Sequence, residues 1–322
     1  MIDDPVLRDD WHAVGWASEI TRSAPVSVRL LEESLVVWRN HDGVHAWKDL
    51  CVHRGSRLSA GRVHNNCLAC PYHGWEYDSS GRCVLIPAHP DQPPPARAAV
   101  TTYSVMEAYG LVWVCLGTPK RNPSVFPEWD DTSFRKVFAG PYVYRASGPR
   151  VIENLLDVAH FPFVHAGYLG DPAKARIGDY EVEASGDEII AKDIPVWQPD
   201  PDGTGQSADV FYTYYVSRPL SLHFTKVHGP NRFSMFASVT PAGDRESLAW
   251  LVMALNYAHE TPAHEIRRFQ DEVSNQDIPV VEGQRPELLP LDLQAELHLR
   301  SDRAALAYRK WLKKIGLRYG TA

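Results

Sequence analysis

The sequence predicts an α+β protein in two parts, an N-terminal antiparallel-β domain and a larger domain in which an antiparallel sheet is packed by helices. Three observations predict it. Short alternating apolar runs cut by turn residues fill the chain from Trp11 to Leu116. A stretch carrying Pro119, Pro123 and Pro127 then interrupts the pattern. Beyond it, longer alternating runs between Glu181 and Tyr257 are framed by helical windows on both sides. The expected division is 1–118, a linker over 119–140, and 141–322.

Length and composition fit a folded chain. With 322 residues, 44% of them hydrophobic, and 10 Trp, a sizeable core is available. A formal net charge of -7 argues against a nucleic-acid binder, which carries a basic excess on one face. The opening M-I-D-D-P-V-L-R-D-D-W has no apolar core, and nowhere do ~18 apolar residues run together, so the expectation is a cytoplasmic protein with neither nucleic acid nor membrane as partner. Five cysteines make an odd number for a disulfide framework.

In chain order, Val26–Leu30 and Ser34–Trp38 read as strands, with the turn signal Asn40-His41-Asp42-Gly43 after them. Next come Cys51-Val52-His53-Arg54-Gly55 and Cys70-Pro71-Tyr72-His73-Gly74-Trp75, which together give C-x-H-x16-C-x2-H. Two Cys/His pairs on short loops can clamp a metal centre, each loop offering two ligands. Zinc is the simplest occupant of a Cys₂His₂ set, but the C-x-H order departs from the usual knuckle and the second loop runs on into a β-hairpin. Cys67, Cys83 and Cys115 fall outside the pattern and read as small core residues. Between Lys48 and Arg82 five basic residues face three acidic ones, which suits either docking of an acidic electron donor or an ordinary solvated surface. Leu111–Leu116 is unbroken apolar and reads as a strand buried on both faces.

The window Arg150–Gly170 holds Asn154, Asp157, His160 and His165. On a helix at about 100° per residue the first three share a sector of about 120°, whereas His165 lies about 140° from His160. A regular helix would not aim both imidazoles at one metal; a break at Pro162 could. Two hydrogen-bonded core histidines remain the plain alternative. Strand patterns follow, notably Asp209–Val216, where aromatics occupy both faces and the face turned to a pocket is left open. Ala263–Gln276 reads as a helix, and Asp302–Ile315 as a final one with Ala304, Tyr308, Trp311, Leu312 and Ile315 in one stripe.

With C-x-H-x16-C-x2-H upstream and N-x-x-D-x-x-H-x4-H downstream, nearly the whole chain resembles the Rieske non-haem iron oxygenases. The resemblance implies a β-domain holding a [2Fe-2S] cluster, with Cys51 and Cys70 on one iron and His53 and His73 on the other. It further implies a helix-grip catalytic domain in which His160, His165 and an aspartate hold a mononuclear Fe(II) as a facial triad. The pattern Gln276-Asp277 through Glu282-x-Gln284 makes Asp277 that aspartate, ahead of Asp271, Glu272 and Glu282. Asp157 would bridge a histidine of this iron to His73 of a neighbouring subunit, which implies a homotrimer, and Asn154 would lie near the iron. F-P-E-W-D-D (126–131), P-A-H-P-D (87–91) and A-Y-R-K-W-L (307–312) are similar to the phthalate/vanillate/dicamba branch, and especially to saxitoxin-type alkaloid hydroxylases. The implied activity is hydroxylation or oxidative demethylation of a small ring compound with O₂, fed by a ferredoxin or a flavin reductase. The alternatives are a ring cis-dihydroxylating dioxygenase, a Rieske electron carrier without an active mononuclear site, and a zinc-stabilised binding module.

Overall fold

Short runs of β-branched and aromatic residues, cut by turn residues, set up the strands of Arg8–Asn122. This is the first of two units into which residues 4–322, those described by the computed structural model, divide. A short helix α1 (Pro5–Arg8) precedes β1 (His12–Trp16), β2 (Val26–Leu30), β3 (Glu33–Arg39) and β4 (Val44–Lys48). Then come β5 (Arg62–His64), β6 (Cys67–Ala69), β7 (Glu76–Tyr77), β8 (Cys83–Leu85), β9 (Thr102–Ala108) and β10 (Leu111–Cys115). One antiparallel sheet has the order β1-β10-β9-β4-β3-β2 and a second the order β5-β6-β7-β8. β10 is buried at every position, as its apolar run predicts, because β1 and β9 flank it. The Asn40–Gly43 turn closes the β3–β4 hairpin, with Asn40 N–H donating to the Gly43 carbonyl. Trp38, Trp47, Leu58, Leu68, Tyr77 and Cys83 form a core that also takes in Cys51 and Cys70. The loops carrying the Cys/His pairs therefore rest on packed side chains.

The second unit, Pro123–Ala322 with Asp4–Leu7, is built on one long sheet. Its elements are β11 (Arg135–Tyr144), α2 (Gly148–Leu156), α3 (Phe161–Val164), β12 (Glu181–Ser185), β13 (Glu188–Gln198) and β14 (Ala208–Arg218). They continue with β15 (Ser221–His228), β16 (Asn231–Gly243), β17 (Glu246–Leu255), α4 (Ala263–Gly283) and α5 (Arg303–Ile315). The strand order β11-β17-β16-β15-β14-β13-β12 is a meander of consecutive hairpins with β11 added at the far edge. α4 lies along β11, and α2 touches β16, β17, α4 and α5. α5 buries Ala304, Tyr308, Trp311 and Leu312 and ends on Gly316, whose φ of 78° takes the left-handed cap.

Three expectations need correction. The segment 119–140 is no plain linker: it holds a helical turn at Pro127–Trp129 and the first part of β11. Gly140 and Pro141 hide that strand in the sequence; they sit where the pairing with β17 slips, between Ala139 and Tyr142, on an edge strand that tolerates a missing donor. The helix expected to stop at Gln276 continues through Pro279 to Gly283, because Val273, Asp277 and Val281 repeat every fourth residue on its buried face. Arg150–Gly170 is not one kinked helix. α2 ends at Leu156, Asp157 is extended with φ -91° and ψ 120°, and His160 and His165 flank the four-residue α3. Pro162 stands in the first turn of α3, where its missing N–H costs nothing.

Candidate metal centres and their cavity

The first centre is local. Cys51 and His53 leave β4 on one loop, Cys70 and His73 leave β6 on another, and each loop closes on itself through backbone bonds: Gly55 N–H to the Cys51 carbonyl and Gly74 N–H to the Cys70 carbonyl. The two thiols are buried and the His73 ring is exposed. Burial pushes the Cys51 thiol up, and Cys70 adds to this against the hydrogen bond with the Tyr77 hydroxyl at 3.1 Å. The His53 and His73 rings lie 4.6 Å apart, with Trp75 stacked on His53 at 4.4 Å. Thiols thus pair with thiol and imidazole with imidazole, and the buried His53 Nδ1 has no partner. A single tetrahedral ion would draw all four donors within about 4 Å of one another. Here the four split into a thiol end and an imidazole end instead. The donor set fits a two-iron cluster with two thiolates at one end and two imidazoles at the other.

The second centre is assembled from distant parts of the chain. α3 holds His160 and His165 at its two ends, so their Nε2 atoms meet at 3.2 Å. α4 supplies Asp277, whose Oδ1 stands 3.3 Å from His160 Nε2 and 3.1 Å from His165 Nε2. Ligand bonds of ~2.1 Å to one ion place neighbouring donors about 3.0 Å apart at right angles and about 3.4 Å apart at tetrahedral angles, so the spacing fits a single metal. Burial disfavours a charged His160, yet hydrogen bonds to Asp157 and Asp277 outweigh it and lift the imidazole to about 9. Burial would also raise Asp277, and its bonds to His160 and His165 hold it below the usual carboxylate range instead. A bound cation replaces that shared proton.

The groups around the triad orient it. His165, 1% exposed, turns Nδ1 to Gln276 Oε1 at 2.7 Å, an acceptor that fixes the proton on Nδ1 and leaves Nε2 for a metal. His160 Nδ1 faces Asp157 Oδ2 at 3.4 Å, while Asp157 Oδ1 accepts from Ala159 N–H. Asn154, on the last turn of α2, reaches Asp277 Oδ1 with Nδ2 at 3.4 Å and leaves a buried Oδ1 without a partner. Asp271 is engaged by the Tyr142 hydroxyl, Glu272 by that of Tyr168, and Glu282 by the Arg145 N–H, so all three competing carboxylates have structural work elsewhere. The triad lies in the wall of a cavity of ≈ 700 Å³. On β14 it is Tyr212 and Tyr214 that line the cavity, together with Phe224 of β15, while Phe211 is exposed. Gln198 and Lys226 escape the sequence reading, since no local motif marks them; Gln276 falls within the pattern that points to Asp277, but its contact with His165 does not show in the sequence.

The Rieske [2Fe-2S] domain family matches residues 10–104, and the vanillate O-demethylase oxygenase C-terminal domain matches residues 144–318. The methylxanthine N1-demethylase NdmA of Pseudomonas putida is 32% identical over 319 residues, covering 96% of this chain and 89% of its own. The N3-demethylase NdmB of the same organism is 32% identical over 330 residues, covering 98% and 91%. The structure of NdmA from Pseudomonas putida CBB5 with caffeine superposes with a TM-score of 0.83 at 31% identity, over 96% of this chain and 90% of that one. Dicamba monooxygenase bound to dicamba shares the fold, with a TM-score of 0.81 at 23% identity over 96% and 97% of the two chains. The chain therefore belongs to the Rieske non-haem iron oxygenases. Its second unit is of the vanillate O-demethylase type, and the protein is an oxidoreductase whose cofactors are a [2Fe-2S] cluster and a mononuclear iron. Its activity class is hydroxylation or oxidative demethylation of small ring compounds. Among the described residues no helix is long and apolar enough to cross a membrane.

Proposed function

We propose that the chain is the terminal oxygenase of an N-demethylating system, removing a methyl group from nitrogen on a small planar ring. One observation carries the reading: the Nε2 atoms of His160 and His165 and Oδ1 of Asp277 converge in the wall of an aromatic cavity of ≈ 700 Å³, roomy enough for a small-molecule ring substrate. The methylxanthine demethylases NdmA and NdmB support the choice of an N-methyl group. His160, His165 and Asp277 are the iron ligands; Cys51, His53, Cys70 and His73 hold the cluster. With iron bound, the site supplies O₂ activation, drawing on electrons that arrive through the cluster.

The chain's own residues do the rest. Gln276 fixes the tautomer of His165, and Asp157 and Asn154 orient His160 and Asp277. Tyr212, Tyr214 and Phe224, packed ring against ring at 5.1 to 6.0 Å, hold a planar substrate and keep bulk water out. Asp157 also faces outward. Its side chain is 38% exposed although it bonds His160, so it bridges to His73 of a neighbouring chain in a homotrimer. A partner oxidoreductase, a ferredoxin or a flavin reductase, delivers electrons to the cluster at the exposed basic face that bears Arg54 and Arg57. The test is turnover of a panel of N-methyl and O-methyl rings with a reductase and labelled O₂, read by mass spectrometry. N-methyl rings should yield formaldehyde in step with demethylated ring; ring-hydroxylated products, or no product from any N-methyl ring, would overturn the reading.

A further inference from the structure

Away from the triad, the same cavity contains a buried cation. Lys226 on β15 is 8% exposed, and its Nζ donates to the Pro201 carbonyl at 2.6 Å and to Gln198 Oε1 at 3.3 Å, both neutral acceptors. Among the described residues it has no carboxylate partner within salt-bridge distance. An ammonium has three hydrogens to donate, so one remains. The Phe233 ring, 5.5 Å from Nζ, covers one side. Registry puts Tyr212 of β14 directly opposite Lys226, so both side chains rise from the same face of the sheet.

The polarity of the chain Lys226–Gln198–Tyr212 follows from its first member. An ammonium only donates, so the Gln198 atom facing it is the carbonyl oxygen. The amide nitrogen of Gln198 then faces the Tyr212 hydroxyl, to which it donates at 2.8 Å. The Tyr212 oxygen is thereby an acceptor toward Gln198, and its own hydrogen is left to donate elsewhere. Gln198 is fully buried, so this arrangement is held rigidly. Two unspent donors, one charged and one neutral, stand side by side on a wall of the cavity. Tyr212 also touches Phe161 edge-on at 5.7 Å, and Phe161 packs against His160 at 4.9 Å, so the donor wall is linked by contact to the triad.

We propose that Lys226 Nζ and Tyr212 Oη, held in register by Gln198, form the recognition end of the substrate site and grip a neutral carbonyl oxygen on the ring. The proposal rests on the cavity being the substrate site of the demethylase described above. Burying a cation against neutral partners is unfavourable unless a further acceptor completes it. A carbonyl suits it better than a carboxylate because Asp200 and Asp202, on the loop beside it, already act on the Lys226 charge at longer range. An added anion would meet both carboxylates.

The test is calorimetric binding to the iron-loaded, cluster-intact protein without reductant, so that no turnover is involved. Caffeine and 1,3-dimethyluracil serve as neutral carbonyl rings, 1-methylindole as a ring without an acceptor and 2-methoxybenzoate as an anionic one. Lys226→Met should weaken the carbonyl rings by about 10- to 100-fold, and Tyr212→Phe, which removes only a hydroxyl, by about tenfold. Neither change should alter affinity for 1-methylindole. Equal losses for carbonyl and carbonyl-free rings, unchanged affinity for the carbonyl rings, tighter binding of 2-methoxybenzoate, or no binding of either carbonyl ring by the wild type would each overturn it. Absent formaldehyde from every N-methyl ring sinks the demethylase reading alone; the binding differences decide recognition whether or not turnover occurs.

Discussion

The two metal-binding regions solve opposite problems. The loops at Cys51–His53 and Cys70–His73 draw four donors from one short segment, bury the thiols in a β-core and leave an imidazole at the surface. The triad takes two donors from the ends of α3 and a third from α4, and sets buried His165 and Asp277 with half-buried His160 beside a cavity. A centre that exchanges electrons benefits from an exposed edge, whereas one that activates O₂ benefits from exclusion of water. Burial alone does not set imidazole chemistry here: His160, with two carboxylates beside it, is lifted to about 9, whereas His223, half-buried beside the Tyr215 ring and with desolvation as its only influence, falls to about 4.

The largest expected effect comes from breaking one region while sparing the other. Asp277→Ala should lower oxygenation at least about a thousandfold and leave the visible absorption of the cluster intact, as spectra and turnover assays will show; Cys70→Ser should do the reverse to the absorption. Asp157→Asn comes next. It should retain both metal centres and slow single-turnover electron delivery to the mononuclear site by more than about 100-fold, and normal delivery would remove the bridging role. Gln276→Leu should cost roughly 10- to 100-fold in iron affinity or turnover, measured by iron titration, since the His165 proton loses its acceptor.

The last effect is on stability rather than activity and concerns His223. Its folded pKa of about 4 lies below the ordinary 6.5, so the unfolded chain binds more protons between those values. Stability from this group is whole above about 6.5 and is lost as pH falls toward 4, by at most roughly 3 kcal/mol. Chemical denaturation against pH should show this decline, and His223→Phe should flatten it.

The same contrast explains what the sequence can reveal. The proposed cluster ligands are legible because both loops lie within one segment whose spacing carries the chemistry. His160 and His165 are legible as a pair, but their convergence depends on α2 ending at Leu156 and α3 restarting, which helical periodicity alone misplaces. Asp277 is legible only through family resemblance, because Pro279 reads as a helix stop and masks the buried repeat Val273, Asp277, Val281 that carries α4 past Gln276. Gln276 meets His165 across 111 residues and Lys226 meets Gln198 across 28, contacts that only strand register and helix docking create. β11 is hidden by the Gly140-Pro141 pair, a turn signal that an edge strand absorbs.

One expectation stands above the others, that a single chain holds two independent iron sites. Its most direct test is iron and acid-labile sulfide content of the wild type beside Asp277→Ala. Wild-type protein should carry about three irons and two sulfides per chain, falling to about two and two in the variant with the cluster spectrum unchanged. A colourless zinc protein, or loss of cluster and mononuclear iron together in the variant, would contradict it.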